Sequence, residues 1–224
     1  MANYYNEKNM NTFTNALADY RQRIANGEKF PVSISASNTK MGNVTSVSLL
    51  PYITCPFKCP ECYAAKLAVL RPSVRNAYAK NTAIAFEDPE TYWKEINKAA
   101  AAVRFFRFHV SGDITNAAYF VGMVETALNN PHTEFLAFTK RYSIVNRYID
   151  ICGDLPKNLH IIFSAWDGLE MPNPYKMPVA QVVRPGQDPA EDWKICGGNC
   201  FECACRGVGC WQLNKGETIA FNLH

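Results

Sequence analysis

Nine cysteines stand in this chain of 224 residues, and they are not scattered. Three fall within CPFKCPECY, as Cys55, Cys59 and Cys62. Five fall within CGGNCFECACRGVGC, as Cys196, Cys200, Cys203, Cys205 and Cys210, and Cys152 stands alone between the groups. A secreted disulfide framework needs an export signal and is usually built on a shorter chain, so two tight cysteine groups read as metal sites. Three closely spaced thiolates can hold three irons of a cubane cluster and leave the fourth iron open to a small molecule. Pro56 and Pro60 stiffen that loop and remove backbone donors. The amides that remain can point at the sulfurs and raise the reduction potential. The competing reading is a zinc ion that borrows a fourth ligand from elsewhere, in a chain with only four histidines.

The second group offers more thiolates than one centre needs. Four complete a cluster or a zinc site, and one is spare. Cys196, Cys200 and Cys203 repeat the gaps of Cys55, Cys59 and Cys62, so spacing alone does not say which group meets a cofactor. Context separates them. The first group follows an extended stretch and opens a run of alternating elements, whereas the second lies beyond the last of them and is read as a structural or auxiliary site. Cys152, beside Ile149 and Ile151 in an apolar helical pattern, is expected to be a buried core thiol.

The elements that must position these residues are legible in the patterning. Phe13, Leu17, Tyr20 and Ile24 recur at helical spacing and Gly27 follows as a stop signal, which predicts an N-terminal amphipathic helix. Helices are predicted over Ala64 to Leu70, from Pro72 to about Phe86, and from Asp88-Pro89 onward, where a cap residue precedes proline in the first turn. Beyond them RFFRFHVS, FLAFT, NLHIIFSAW and PVAQVV read as strands, and NAAYFVGMVETALNN and SIVNRYIDI as helices. The alternation is that of βαβ units. It predicts an α/β fold: a partial, open β/α barrel with a mostly parallel five- or six-stranded sheet and an irregular Cys-rich C-terminal tail. The expected division is a barrel domain over 1–183 and a metal-binding extension over 184–224.

Ligands of parallel α/β folds bind at the C-terminal ends of strands. Ser111, Gly112 and Asp113 end the strand of RFHVSGD, where glycine admits a ligand close to the backbone and a carboxylate can accept from an ammonium. Other strand ends offer Thr139 and Lys140, then Ser164, Trp166 and Asp167. His109 reads as a core or strand histidine.

The three-cysteine loop after a first strand resembles the signature of the radical S-adenosylmethionine superfamily. There, three such cysteines hold a 4Fe–4S cluster, and a Gly-Gly-Glu-like strand end, here Ser111 to Asp113, holds the amino group of the cofactor. The usual aromatic just before the third cysteine is replaced by Glu61, and Tyr63 follows instead. A narrower resemblance joins SNTKMG, TCPFKCPECYA, FRFHVSGD, FLAFTKRYSIV and the C-terminal cysteines in that order. This order is similar to the phage proteins named for gene product eighty-eight, from about Asn38 to Cys210.

The resemblance implies an enzyme that binds a 4Fe–4S cluster and S-adenosylmethionine. It would generate a 5′-deoxyadenosyl radical and draw electrons from a flavodoxin- or ferredoxin-like reductant. Ser111, Gly112, Asp113, Thr139 and Ser164 are the candidate cofactor contacts. A second 4Fe–4S cluster or a zinc ion is expected at the C-terminal cysteines. No residue is assigned to catalysis, and the substrate, a small molecule, nucleotide or peptide, is not readable. The rival is a non-catalytic module stapled by zinc, in which Arg104, Arg107, Lys140 and Arg141 grip nucleic acid. A net charge of +3 is too small to argue for nucleic acid by itself. No apolar run has the length of a membrane span, and the first residues lack a signal-peptide pattern, so a cytoplasmic place is expected.

Overall fold

The computed structural model describes residues 3–222. Asn6 caps the first helix, α1 (Glu7–Ala25), by accepting a hydrogen bond from the Asn9 amide, and Phe13 and Leu17 turn inward at the predicted spacing. Two short strands follow, β1 (Ile34–Ser35) and β2 (Thr45–Val47), paired antiparallel. The loop after β2 carries the first cysteines and leads into α2 (Tyr63–Leu70), α3 (Pro72–Glu87) and α4 (Pro89–Ala100). Strands and helices then alternate as β3 (Phe105–Phe108), α5 (Ala117–Asn129), β4 (Glu134–Thr139), α6 (Tyr142–Cys152), β5 (Leu159–Ser164) and β6 (Val179–Val183). The C-terminal stretch adds β7 (Lys194–Ile195), α7 (Cys200–Arg206), a 3₁₀ turn (Gly209–Gln212) and β8 (Thr218–Asn222).

All eight strands form one sheet in the order β1-β2-β3-β4-β5-β6-β8-β7, parallel throughout except for the first pair. The sheet is open. Its strand number exceeds the five or six expected, because the C-terminal stretch contributes two strands of its own. Nor is that stretch irregular: β8 is hydrogen-bonded between β6 and β7. Its short alternation, TIAFN, lies behind a run of glycines and cysteines that hides it from pattern reading.

Strand order explains the two faces. From β2 to β5 each strand lies beside its predecessor, and crossovers of one hand place the intervening helices on one face. There Phe106, Phe108, Phe135, Ala137, Ile161 and Phe163 pack with Tyr92, Ile96, Phe120, Met123 and Val145 from the helices. The alternate residues Phe105, Leu136, Ile162, Ala180 and Ile219 face the other way, as the period of a strand requires. A parallel sheet must be covered on both sides. Here Ala204 of α7 and Trp211 of the 3₁₀ turn cover the second face, so the cysteine-rich segment packs on the sheet itself. Cys152 differs from expectation. It is exposed at the last position of α6, beyond the turn that buries Ile149. Among the described residues no helix is long and apolar enough to cross a membrane.

Candidate functional site

The parallel strands end together at one edge, and a cavity of about 270 Å³ opens there. That is close to the lower end of ligand-site volumes, roughly 300–1,000 Å³. Cys55, Cys59, Cys62, Ser111, Gly112, Asp113, Thr139 and Ser164 all line it. The three cysteines, the only ones in the first half of the sequence, thus meet every predicted strand-end residue of the cofactor set. All nine cysteines are free thiols.

The cysteine loop is shaped by its own bonds. Tyr52 adopts a left-handed backbone with φ 64°, and its hydroxyl donates to the Cys59 carbonyl at 3.1 Å. The Lys58 ammonium turns inward to donate to the carbonyls of Tyr52 and of Cys55, the latter at 2.8 Å. Cys62 caps α2, and its sulfur accepts from the Ala65 amide at 3.4 Å. A helix N-terminus beside a sulfur favours the thiolate. Burial pushes the Cys55 thiol up to about 12, with the Asp113 charge adding to it. Burial also raises Cys59 and Cys62, while the nearby Lys140 pulls both down. A coordinated cation outweighs such burial, because a ligating thiol is deprotonated outright. Among the described residues no three Cys, His, Asp or Glu side chains stand as ligands of a single ion. A cubane differs, since it places each thiolate on a separate iron and spreads them.

Asp113 is buried and already engaged. Its Oδ1 accepts from the Thr139 hydroxyl at 2.6 Å and the Ile114 amide at 2.7 Å, and its Oδ2 from the Lys140 amide at 2.9 Å. Burial nevertheless raises its pKa. Asp113 and Thr139 therefore clamp the end of β3 to the end of β4 at the cavity wall. Gly112, at φ 86°, is required by close packing on the far side, where a Cβ would meet Leu49 Cβ and Thr54 Oγ1, both at 2.7 Å. Ser111 is different: its Oγ is buried without a partner among the described residues. Ser164 Oγ accepts from Lys140 Nζ at 3.0 Å, and that ammonium also lies over the Trp166 ring at 5.4 Å.

Several lining or clamping residues escaped the sequence reading. Arg184, the first residue after β6, pairs with Glu61 of the cysteine loop at 3.1 Å and with Asp167 at 3.3 Å. Glu61 of the cysteine loop, which follows β2, is thus tied to the end of β6, four places along the sheet, and the strand-end rule applied to β6 would have found Arg184. Phe57, Phe138 and Phe221 add apolar walls. Of the four basic residues of the rival reading, two share the cavity and two do not. Arg107 and Lys140 line the cavity. Arg141 donates to the carbonyls of Ile114 and Thr54 at 3.1 and 3.2 Å, tying two loops together. Arg104 lies at the opposite end of β3, beside the Phe105 ring.

At the C-terminal group, Cys196, Cys200, Cys203 and Cys210 pack partly buried against the second face of the sheet, while Cys205 is exposed. Comparison with curated proteins and with solved structures returns no match. The profile of the gene product 88 family matches residues 9–210, which run from within α1 through β1, the cysteine loop and the strands up to β7, and over α7 to Cys210. The chain belongs to the gene product 88 family.

Proposed function

We propose that the cavity is the active site of a radical S-adenosylmethionine enzyme, with Cys55, Cys59 and Cys62 as ligands of a 4Fe–4S cluster. The observation that carries this reading is the meeting of three free thiols from one loop with Ser111, Asp113, Lys140 and Ser164 in a single cavity at the C-terminal edge of a parallel sheet. The consecutive strand order and the helices on one face support reading the fold as a partial β/α barrel. When bound, such a cluster delivers one electron to S-adenosylmethionine, breaking a carbon–sulfur bond to give methionine and a 5′-deoxyadenosyl radical that takes a hydrogen atom from the substrate.

The chain supplies placement. Three thiolates fill three ligand positions and leave one for the cofactor. Lys140, beside Cys59, balances the negative charge of the thiolates. Ser111 Oγ has a free hydrogen bond to give a polar group of the cofactor. The Asp113–Thr139 pair keeps the strand ends in register, with room on Oδ2 for one further donor. Phe57 and Trp166, with ring centroids 6.4 Å apart, form an apolar wall that keeps water from a reactive radical.

Anaerobically reconstituted protein, given S-adenosylmethionine and dithionite, should form 5′-deoxyadenosine. Replacing Cys55, Cys59 and Cys62 together by Ala should abolish that product and remove one metal centre while the C-terminal metal stays. A wild-type chain that purifies colourless with zinc at Cys55, Cys59 and Cys62 removes the proposal and restores the zinc-stapled module.

A further inference from the structure

The C-terminal cysteines belong to no part of the reaction proposed above, and their geometry separates them into four and one. On α7, Cys200 and Cys203 are three positions apart and share a face, while Cys205, two positions beyond Cys203, projects to the opposite side and is exposed. Around the shared face the chain folds back twice. Cys196 arrives from the end of β7, and Cys210 returns from the 3₁₀ turn after Gly207 and Gly209, both left-handed at φ 63° and 64°. A Cβ at Gly209 or Gly197 would sit 3.4 Å from the Cys203 sulfur, so the backbone wraps that thiol closely. Cys196, Cys200, Cys203 and Cys210 thus pack, partly buried, against one apolar cluster of the sheet, and four thiolates are the full ligand set of a closed cubane.

A second observation comes from the sheet. Arg107 of β3 reaches across, its Nη1 3.7 Å from the Cys200 sulfur and 3.4 Å from the Met41 sulfur. No carboxylate pairs with it among the described residues; its guanidinium lies 4.8 Å from the Phe138 ring centroid, and its Nε is buried without a partner. A cation placed against a thiol group with no acid nearby is a counter-ion for thiolates. The same Arg107, with Phe138 and Phe221, lines the cavity. The SNTKMG segment gains a role here as well. Asn38 Oδ1 accepts from the Lys40 and Met41 amides, closing a tight turn, and the Met41 carbonyl accepts from the Phe201 amide at 2.9 Å. A Cβ at Gly42 would strike Phe201 Cβ at 2.8 Å, so that turn is the seat on which α7 docks.

We infer that Cys196, Cys200, Cys203 and Cys210, without Cys205, hold a closed 4Fe–4S cluster on the second face of the sheet, with the Arg107 guanidinium as its counter-cation. With a thiolate for each iron, this centre would offer no open position to a small molecule and would fasten the C-terminal segment to the sheet.

The test uses the full-length chain carrying Cys55→Ala, Cys59→Ala and Cys62→Ala, reconstituted with iron and sulfide. It should retain the iron and sulfide of one cluster per chain, with a cubane signal by electron paramagnetic resonance after reduction. Adding Cys205→Ser should leave that content unchanged, and adding Cys200→Ser should remove it. Arg107→Gln should keep the iron but lower the reduction potential, because a cation beside the sulfurs stabilises the reduced cluster. Zinc in place of iron, or iron lost with Cys205→Ser, overturns the inference. So does a potential unmoved by Arg107→Gln, for the counter-cation. If Cys200→Ser does not fold, the first two measurements still decide. A triple variant that holds its cluster while the wild type makes no 5′-deoxyadenosine leaves this centre standing and removes the reaction.

Discussion

His109 sits at the end of β3 with a left-handed backbone, φ 57°, and its ring is buried beside the cavity. Its Nε2 shares a 2.9 Å hydrogen bond with the Tyr119 hydroxyl, and its Nδ1 has no partner among the described residues. Burial, followed by the Arg107 charge, pushes its pKa down from 6.5 to about 3. Between those values the unfolded chain takes up a proton that the folded chain refuses. Stability is therefore fully present above 6.5 and falls as the pH drops toward 3, with a slope approaching about 1.4 kcal/mol per pH unit from this one group. His109→Asn keeps a residue that tolerates positive φ and removes the titration. Urea denaturation at several values between pH 7 and pH 4 should show a shallower loss of stability in the variant. Equal slopes in the two chains would mean that His109 titrates normally.

At the scale of helices, α4 and α5 pack through an unusually close contact. Gly122 of α5 faces the Trp93 ring, and a Cβ there would lie 2.3 Å from Trp93 Cε2. Trp93 has little freedom to yield, with ring centroids of Tyr119 at 4.8 Å, Tyr92 at 5.1 Å and Phe108 at 6.3 Å. Two effects of Gly122→Ala oppose each other. Helix propensity favours alanine by about 1 kcal/mol. Overpacking of a filled core costs about 1–3 kcal/mol. The short distance decides for the cost, so Gly122→Ala should lower the unfolding free energy by up to about 2 kcal/mol. Thermal or urea denaturation checks it, and a more stable variant would show that the α4–α5 contact is looser than it is drawn.

For the molecule as a whole, the question is whether the segment from 184 onward is a separable extension. The sheet argues that it is not. β8 pairs with β6 at five positions, from Val179 with Thr218 to Val183 with Asn222. Ala204 and Trp211 cover Phe105, Leu136 and Ile162. A chain ending at Val183 leaves β6 as an open edge and a whole apolar face in water, both of which promote association. It should be insoluble or aggregate on size exclusion, without a cooperative unfolding transition. A soluble monomer that unfolds cooperatively would restore the division at 184.

Periodicity and stop signals in the sequence determined α1 to α6 and the strands β2 to β6, because those signals act between residues a few positions apart. The spacing of Cys55, Cys59 and Cys62, with the rule that parallel sheets bind at their C-terminal edge, was enough to bring them to Ser111, Asp113, Thr139 and Ser164 on paper. What only the tertiary structure decided are meetings between distant positions. Asp113 spends its carboxylate on Thr139 and the Lys140 amide, 26 and 27 residues away. Glu61 finds Arg184 at a separation of 123, and Cys200 finds Arg107 at 93. Cys205 is set apart from its four neighbours by the direction in which one turn of α7 points it. A local pattern records which backbone a segment prefers. It holds no record of which partner stands opposite once the sheet has assembled, and that partner decides whether a buried charge is spent, balanced or left to meet a ligand.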